Sequence, residues 1–384
     1  MPVDEDLRLA LRRWSPPVDR EGLVERVAHR KARLRWLRRF RIAALVLVVL
    51  GGTTAGSLLL VRSFRTTGIR LGSPRVTNGK IAYVTIGKHS AIWVVNPDGS
   101  GRTMLTAAHR ISGPAWSPHG AKIAFASPPE TAVDGPPASH IYVMNPDGTG
   151  RVDLSTGGGL DLTPAWSPDG TRIAFSSNRS DPTTRACYFC DLDLYVMNAD
   201  GTGVHRLTYG EGRDISPTWS PDGKRIAFVR VSGLYRNEHG TTMVMNADGS
   251  DIKHLCRWNP GCPDGEVAHW SPDGRTLAFM DNGSTQIWLS DADGRNPRAA
   301  RLPCFTDLEP GAFPNRPTEP GTCLWFAGGD WAPDGTGLVV AVAGLPNQSG
   351  RGIYLVKPDG SEVHQIAVGG VMPSWQPLFG VGSK

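Results

Sequence analysis

Acidic residues that precede a repeated tryptophan are the best candidates for electrostatic chemistry in this sequence. They lie one to five positions before such a tryptophan and are Asp161, Asp214, Glu266 and Asp330. Carboxylates gathered around one opening would attract a cation or the basic end of a peptide. Alternatively, they accept hydrogen bonds from backbone N–H groups of a neighbouring element. Both interpretations are open from the sequence, and we take the four as candidate ligand-binding residues.

Aromatic residues lie in the segments between the repeats. The candidates for contacts with a ligand are Tyr188, Phe189, Trp258 and Trp325. Large aromatic side chains on loops are typical anchors of binding surfaces. Packing under a loop beside a disulfide explains the same residues equally well.

Six cysteines, all of them C-terminal to residue 61, predict disulfides in an oxidising compartment. The simplest connectivity joins neighbours in the sequence, namely Cys187 with Cys190, Cys256 with Cys262, and Cys304 with Cys323. The rival is a zinc site built on the C-x-x-C of residues 187–190. We favour the disulfides, and we expect neither a metal ion nor a cofactor.

Motifs of known enzyme classes are missing from the sequence. It contains no G-x-S-x-G, no H-E-x-x-H and no P-loop. Only nine residues follow Trp375, which leaves no room for a hydrolase domain after the repeats. The sequence therefore predicts a protein that is not an enzyme.

Two signatures alternate along most of the chain and define an internal repeat. Copies of the first, as in PAWSPDGTRIAF, are Pro114–Phe125, Pro164–Phe175, Pro217–Phe228, Ala268–Phe279 and, shortened, Gly329–Gly335. The second ends in Asp-Gly, as in Ile141–Gly148 (IYVMNPDG), and occurs six times. The repeated tryptophans are Trp116, Trp166, Trp219, Trp270, Trp331 and Trp375.

Each repeat predicts four short strands, which we call A to D. The P-x-W segment is A, I-A-F is B, I-Y-V-M is C, and D ends near L-T as at residues 206–208. Pro-Asp-Gly and Asn-Pro/Ala-Asp-Gly supply the turns, because proline fixes φ and glycine accepts positive φ. Apolar residues on both faces of B and C require each sheet to be covered on both sides, so the sheets must stack radially as propeller blades.

The repeats predict an all-β, six-bladed propeller over residues 74–380. The first unit begins at strand B, at Asn78, whereas the chain ends with an unpaired strand A at Pro373–Pro377. That strand would complete the first blade and close the ring. The W-S/A-P-D/H-G and D-G copies resemble the WD40-like repeats of TolB-type six-bladed propellers. The resemblance implies a protein-binding scaffold more than an enzyme.

Connections between strands predict two unlike faces of the ring. The A–B and C–D turns are short and share one face, the tight-turn face. The B–C and D–A connections share the other, which we call the loop-rich face, and their insertions are 128–139, 178–192, 230–241, 256–266 and 297–328. All six cysteines fall in this second set. We expect the loop-rich face to bind the ligand and to point away from the membrane.

The charge distribution predicts a membrane anchor. Residues 1–41 hold 12 Lys/Arg and 6 Asp/Glu, whereas the rest of the chain is near neutral. The segment 42–61 carries no charge over a length that can cross a bilayer. A cleaved signal peptide is the alternative. The positive-inside rule predicts a single-pass protein of the cell membrane with its N-terminus in the cytoplasm and its propeller outside.

The segments before the propeller bear on its partners. Residues 1–41 predict short basic helices in the cytoplasm, and 62–73 predict a linker. Gly52 and Gly56 form a G-x-x-x-G that would allow weak self-association within the membrane. A near-neutral body argues against nucleic acid as a partner.

Two functions follow from this arrangement. The first is a membrane-anchored extracytoplasmic scaffold that holds a protein, peptide or glycan ligand. The second is a single-span signal transducer, similar in layout to anti-sigma proteins, in which the propeller senses and residues 1–41 report.

Overall fold

The computed structural model describes most of the residues between 76 and 379. The described residues are 76–87, 89–129, 138–155, 159–180, 192–210, 212–232, 239–255, 267–280, 287–300, 326–342, 352–359 and 361–379. Their regular secondary structure consists of 24 β-strands. No helix long and apolar enough to span a membrane occurs among these residues, and the segment 42–61 lies outside them.

The strands follow the chain in groups of three or four. The first eleven are β1 (Val76–Thr85), β2 (Ser90–Val95), β3 (Thr103–Ala108), β4 (Ser112–Trp116), β5 (Ile123–Ser127), β6 (His140–Met144), β7 (Val152–Asp153), β8 (Asp161–Trp166), β9 (Arg172–Ser177), β10 (Asp193–Asn198) and β11 (His205–Arg206). The next eight are β12 (Arg213–Trp219), β13 (Arg225–Ser232), β14 (His239–Asn246), β15 (Lys253–His254), β16 (Val267–Trp270), β17 (Thr276–Met280), β18 (Trp288–Asp291) and β19 (Arg298–Ala299). The last five are β20 (Phe326–Trp331), β21 (Leu338–Val342), β22 (Gly352–Val356), β23 (Val363–Val368) and β24 (Val371–Phe379).

These strands form six antiparallel sheets of four strands each. Five sheets use consecutive strands: β4–β7 is blade 2, β8–β11 blade 3, β12–β15 blade 4, β16–β19 blade 5 and β20–β23 blade 6. Blade 1 has the order β24-β1-β2-β3, and its register places Trp375 opposite Ile81. The prediction of six blades closed by a C-terminal strand is therefore confirmed.

The blades stack on one another through their apolar faces. Strand β5 is buried along its whole length, because blades cover both of its faces. One cluster joins Leu194 and Val196 of blade 3 to Trp219 and Phe228 of blade 4. Another joins Ile81 and Trp375 of blade 1 to residues of blade 6, which closes the ring. Hydrophobic burial between neighbouring sheets thus stabilises the whole ring.

The Asp-Gly turns have the chemistry that the repeats predict. In the turn between β10 and β11, Gly201 has a φ of 87°, and the Asp200 carboxylate accepts both the N–H and the hydroxyl of Thr202. Both hydrogen bonds lower the pKa of Asp200, and the one from the hydroxyl has the larger effect. A Cβ on Gly201 would lie 2.8 Å from the carbonyl oxygen of Leu154 in the preceding blade. Glycine is therefore required here both by the backbone angle and by the packing between blades.

Candidate functional site

The first strands of the six blades surround a central cavity. β24, β4, β8, β12, β16 and β20 contact one another in that cyclic order. The cavity that they enclose has a volume of about 420 Å³ and is lined by residues from all six strands.

One position of the repeat, directly before the tryptophan, contributes a lining residue from every blade. These residues are Ser374, Ala115, Ala165, Thr218, His269 and Asp330, in ring order from blade 1 to blade 6. Each is half-buried, as expected for a side chain that faces an open cavity. Blades 4, 5, 6 and 1 supply polar side chains, whereas blades 2 and 3 supply alanines. One side of the cavity is therefore polar and the other apolar.

A β-bulge three residues before the tryptophan shapes five of the six lining strands. It appears as a positive φ at this position: Gly113 (58°), Thr163 (49°), Ser216 (54°), Gly328 (98°) and Met372 (52°). In blade 3 the register shifts between Leu162 and Ala165. Strand β16 pairs with β17 without such a shift. A bulge inserts one residue, so it reverses which sheet face the preceding side chains occupy.

Asp330 joins two lining strands. Its Oδ1 accepts the backbone N–H of Trp331 at 2.8 Å, and its Oδ2 accepts that of Trp375 in β24 at 3.1 Å. The Ser374 hydroxyl also bonds this carboxylate. Burial raises the pKa of Asp330 to about 6, because the three hydrogen bonds offset only part of the desolvation. Asp330 therefore ionises close to neutral pH.

His269 presents a neutral imidazole to the cavity. Burial lowers the pKa of this side chain to about 4. Its backbone carbonyl accepts the indole N–H of Trp331 at 3.0 Å. The imidazole itself has no hydrogen-bond partner among the described residues. It can therefore donate one hydrogen bond and accept another from a molecule in the cavity.

Asp161 and Asp214 do not line the cavity. Asp161, 2% exposed, bonds Ser155, Ser177 and Arg179, each at 2.6 Å. Asp214, 4% exposed, pairs with Arg230 through two hydrogen bonds of 2.7 and 2.8 Å. The expected ring of carboxylates at the opening is thus corrected to Asp330 alone among the described residues.

The β-bulge is the reason for this difference. Asp161 pairs with Ser177 and Ala165 with Ala174, an odd separation along β9, so the two side chains lie on opposite sheet faces. Blade 4 repeats the relationship, with Asp214 opposite Arg230 and Thr218 opposite Ala227. The alternative interpretation, a carboxylate that accepts backbone N–H groups of a neighbouring blade, describes Asp330.

A third ion pair belongs to the same region. Asp193, at the start of β10, lies 2.6 Å from Arg206. Burial raises the pKa of Asp193; the hydrogen bond and charge of Arg206 oppose this shift, and the charge of Asp214 adds to it. The backbone N–H of Asp214 donates to the Leu192 carbonyl at 2.6 Å. Ion pairs of blades 3 and 4 are thus close enough for their charges to interact.

The remaining candidates lie outside the described residues. They are Glu266, Tyr188, Phe189, Trp258, Trp325, Cys187, Cys190, Cys256, Cys262, Cys304, Cys323, Gly52 and Gly56. Over the ranges that the structure does describe, no three His, Cys, Asp or Glu side chains form a group that could hold a metal ion.

Of the large apolar side chains that the structure describes, the three most exposed lie at the loop-rich face. Ile86 follows β1, Tyr209 follows β11 and Val368 ends β23, and all three positions lie where strands reach that face. Their exposed fractions are 73%, 69% and 73%. The Arg206 guanidinium lies over the Tyr209 ring at 4.6 Å. These residues offer apolar contacts to a partner.

The loop-rich face also has the variable connections. The C–D turn between β10 and β11 spans 199–204, and the other C–D and A–B turns are of similar length. By contrast, residues 178–192 connect β9 to β10 and residues 300–325 connect β19 to β20. Antiparallel pairing in every blade places the strand ends that flank these longer connections on one face.

Comparisons with known proteins agree with the closed ring. The sequence pattern of the TolB β-propeller domain matches residues 70–184, and that of the dipeptidyl peptidase IV N-terminal region matches residues 167–289. A TolB homolog of Chlorobium chlorochromatii is 33% identical over 41% of this chain and 32% of its own length. Dipeptidyl-peptidase 5 of Porphyromonas endodontalis is 33% identical over 30% of this chain and 16% of its own length.

A solved structure supports the same architecture. TolB from Acinetobacter baumannii superposes with a TM-score of 0.56 at 20% identity, over 78% of this chain and 66% of that one. The ring and this superposition define a six-bladed β-propeller, and part of its sequence is similar to the TolB β-propeller domain. The chain spans a third or less of the length of the curated relatives cited.

Proposed function

We propose that this chain is a membrane-anchored extracytoplasmic scaffold that binds a protein, peptide or glycan ligand on its loop-rich face and catalyses no reaction. The observation that carries the proposal is the exposure of Ile86, Tyr209 and Val368 on that face. Large apolar side chains that remain exposed on a rigid ring are typical of an interaction surface. The TolB-type fold agrees with a protein or peptide as the ligand.

The ligand-binding face is tested by photo-crosslinking in cells that express the full chain. A benzophenone amino acid replaces Tyr209 on the loop-rich face or, as the control, Asp248 in the tight turn after β14. We expect a discrete covalent adduct from position 209 and none from position 248. Equal adducts from both positions, or adducts from position 248 alone, would contradict the proposal.

A matched pair of substitutions tests the apolar contacts. Ile86→Ser removes an exposed side chain from the loop-rich face, whereas Met104→Ser removes one from the outer strand β3. The adduct from position 209 should weaken with Ile86→Ser and persist with Met104→Ser. An unchanged adduct in both variants would argue against this surface.

Membrane anchoring is tested on the same cells. Deletion of residues 42–61 should release the chain from the membrane fraction, and added protease should reach the propeller of the intact chain from outside. A photo-crosslinker at Trp14 provides the third measurement. Adducts with a soluble cytoplasmic protein at that position would favour the signal transducer over the scaffold.

A further inference from the structure

The central cavity carries an unbalanced charge. His269 and Asp330 are the titratable side chains among its described lining residues, which include no Lys or Arg. His269 is neutral at physiological pH, whereas Asp330 is largely ionised above pH of about 6. An anion would meet an uncompensated carboxylate in a partly desolvated space, which is unfavourable. A cation is therefore the favoured occupant.

The polar side of the cavity consists mainly of hydrogen-bond acceptors. The Thr218 hydroxyl donates to the Ala268 carbonyl at 2.6 Å, so its lone pairs remain available. The His269 ring, which has no hydrogen-bond partner among the described residues, offers a nitrogen lone pair, and the Asp330 carboxylate offers a charge. A primary ammonium has three N–H donors and one positive charge. It matches these groups in both hydrogen bonding and charge.

The opposite side and the volume limit what can be attached to the ammonium. Ala115 and Ala165 face the cavity from blades 2 and 3, and Pro114 and Pro164 lie beside them. The described residues of this wall include no charged side chain, so the wall favours an aliphatic group. A volume of about 420 Å³ lies in the lower part of the range of roughly 300–1,000 Å³ found for ligand pockets. The carried group must therefore be short.

We propose that the central cavity is a binding site for a primary ammonium group on a short aliphatic carrier, with Asp330, His269 and Thr218 as the acceptors. The site goes beyond the proposed function, because it uses none of the exposed residues of the loop-rich face. The same chemistry has two sources, a free small amine or the amino terminus of a partner polypeptide.

The test is a titration of the full chain with leucinamide, N-acetyl-leucinamide and a tetrapeptide amide that begins with leucine. Trp116, Trp166, Trp219 and Trp270 line the cavity, so tryptophan fluorescence reports occupancy. Leucinamide should bind at least about tenfold more tightly than its acetylated form, which lacks the charge. Its affinity should fall as the pH drops below about 6, because Asp330 then becomes protonated.

The tetrapeptide distinguishes the two sources. Affinity equal to or above that of leucinamide identifies a polypeptide terminus, whereas weaker binding identifies a small free amine. Equal affinity of leucinamide and its acetylated form would overturn the proposal. The absence of any leucinamide binding up to about 10 mM would do the same, because specific binding is far tighter.

Variants locate the binding in the cavity. Ala115→Leu fills the apolar side without altering an acceptor and should lower the leucinamide affinity at least about tenfold. Ala107→Leu makes the same change at an exposed position of β3 and should leave it unchanged. Asp330→Asn should remove the preference for the charged amine. If that variant fails to fold, Ala165→Leu, from the adjacent blade, replaces it as a second filling variant. Binding that persists in folded Ala115→Leu and Ala165→Leu proteins would place the amine elsewhere and refute the site.

Discussion

The Asp330 carboxylate accepts the backbone N–H of Trp375 at 3.1 Å and so links the first strand of blade 6 to the strand that closes blade 1. The two residues lie 45 positions apart in the chain. The Trp375 indole N–H donates in turn to the Gly79 carbonyl in β1 at 3.1 Å. Ring closure and the polar side of the cavity therefore depend on the same side chains.

Trp375→Ala should weaken the ring at its closure. The indole is 6% exposed and belongs to the cluster that joins blades 1 and 6, so truncation should cost about 3–5 kcal/mol of unfolding free energy. Leu378→Ala, at a 40% exposed position of the same strand, is the control and should cost little. Chemical denaturation measures both, and similar losses would mean that β24 does not anchor the ring through its tryptophan.

Asp330→Asn should change how stability depends on pH. Burial raises the pKa of Asp330 from 3.8 to about 6. Its contribution is therefore fully present below pH 3.8 and is lost as the pH rises through about 6, a change on the order of 3 kcal/mol. We expect the unfolding free energy of the wild type minus that of the variant to decrease as the pH rises across this window. A constant difference would show that the carboxyl titrates normally.

His269→Leu should give the opposite dependence. The pKa of His269 is lowered from 6.5 to about 4, so its neutral form is the one that the fold accepts. The stability present above pH 6.5 is lost as the pH falls through about 4, and the leucine variant should not show this loss. The measurement is again the difference from wild type. A variant that loses stability in acid as steeply as wild type would contradict a partly desolvated, neutral His269.

The Asp214–Arg230 ion pair should contribute far more to the free energy of unfolding than an exposed ion pair does. Asp214→Ala leaves the partly buried Arg230 guanidinium unpaired and should cost roughly 3 kcal/mol. The double variant Asp214→Leu/Arg230→Met should regain most of that loss. Asp251→Ala, which breaks an exposed pair with Lys253, should cost less than about 1 kcal/mol. Equal effects in the two single variants would show that burial adds nothing to the first pair.

The six-bladed ring could be predicted because the same strand and turn motifs recur in each blade. Pro114–Phe125 and its copies specify strands A and B each time, and the unpaired strand around Trp375 specifies the closure. The lining of the cavity was harder to predict. His269 occupies the same repeat position as Ala165, and aligning the copies on their tryptophans would have revealed it as a lining residue.

Asp161 and Asp214 show why the rest could not be predicted. The sheet face that each carboxylate occupies depends on a β-bulge at Thr163 or Ser216. Both of these residues have a positive φ although neither is glycine. A threonine or a serine in the sequence does not predict a positive φ at its position. Only the packing of the complete ring holds it, so a simple two-residue alternation places both carboxylates on the wrong face.

The pairing of β24 with β1 has a consequence for biosynthesis. β24 follows every other described strand in the chain, so a nascent polypeptide can complete blade 1 only after all the other blades have been translated. Until then the inner edge of β1 has unpaired backbone groups that could pair with another chain. A ribosome that stalls within the last repeat would therefore release a product prone to aggregation rather than a slightly shorter propeller.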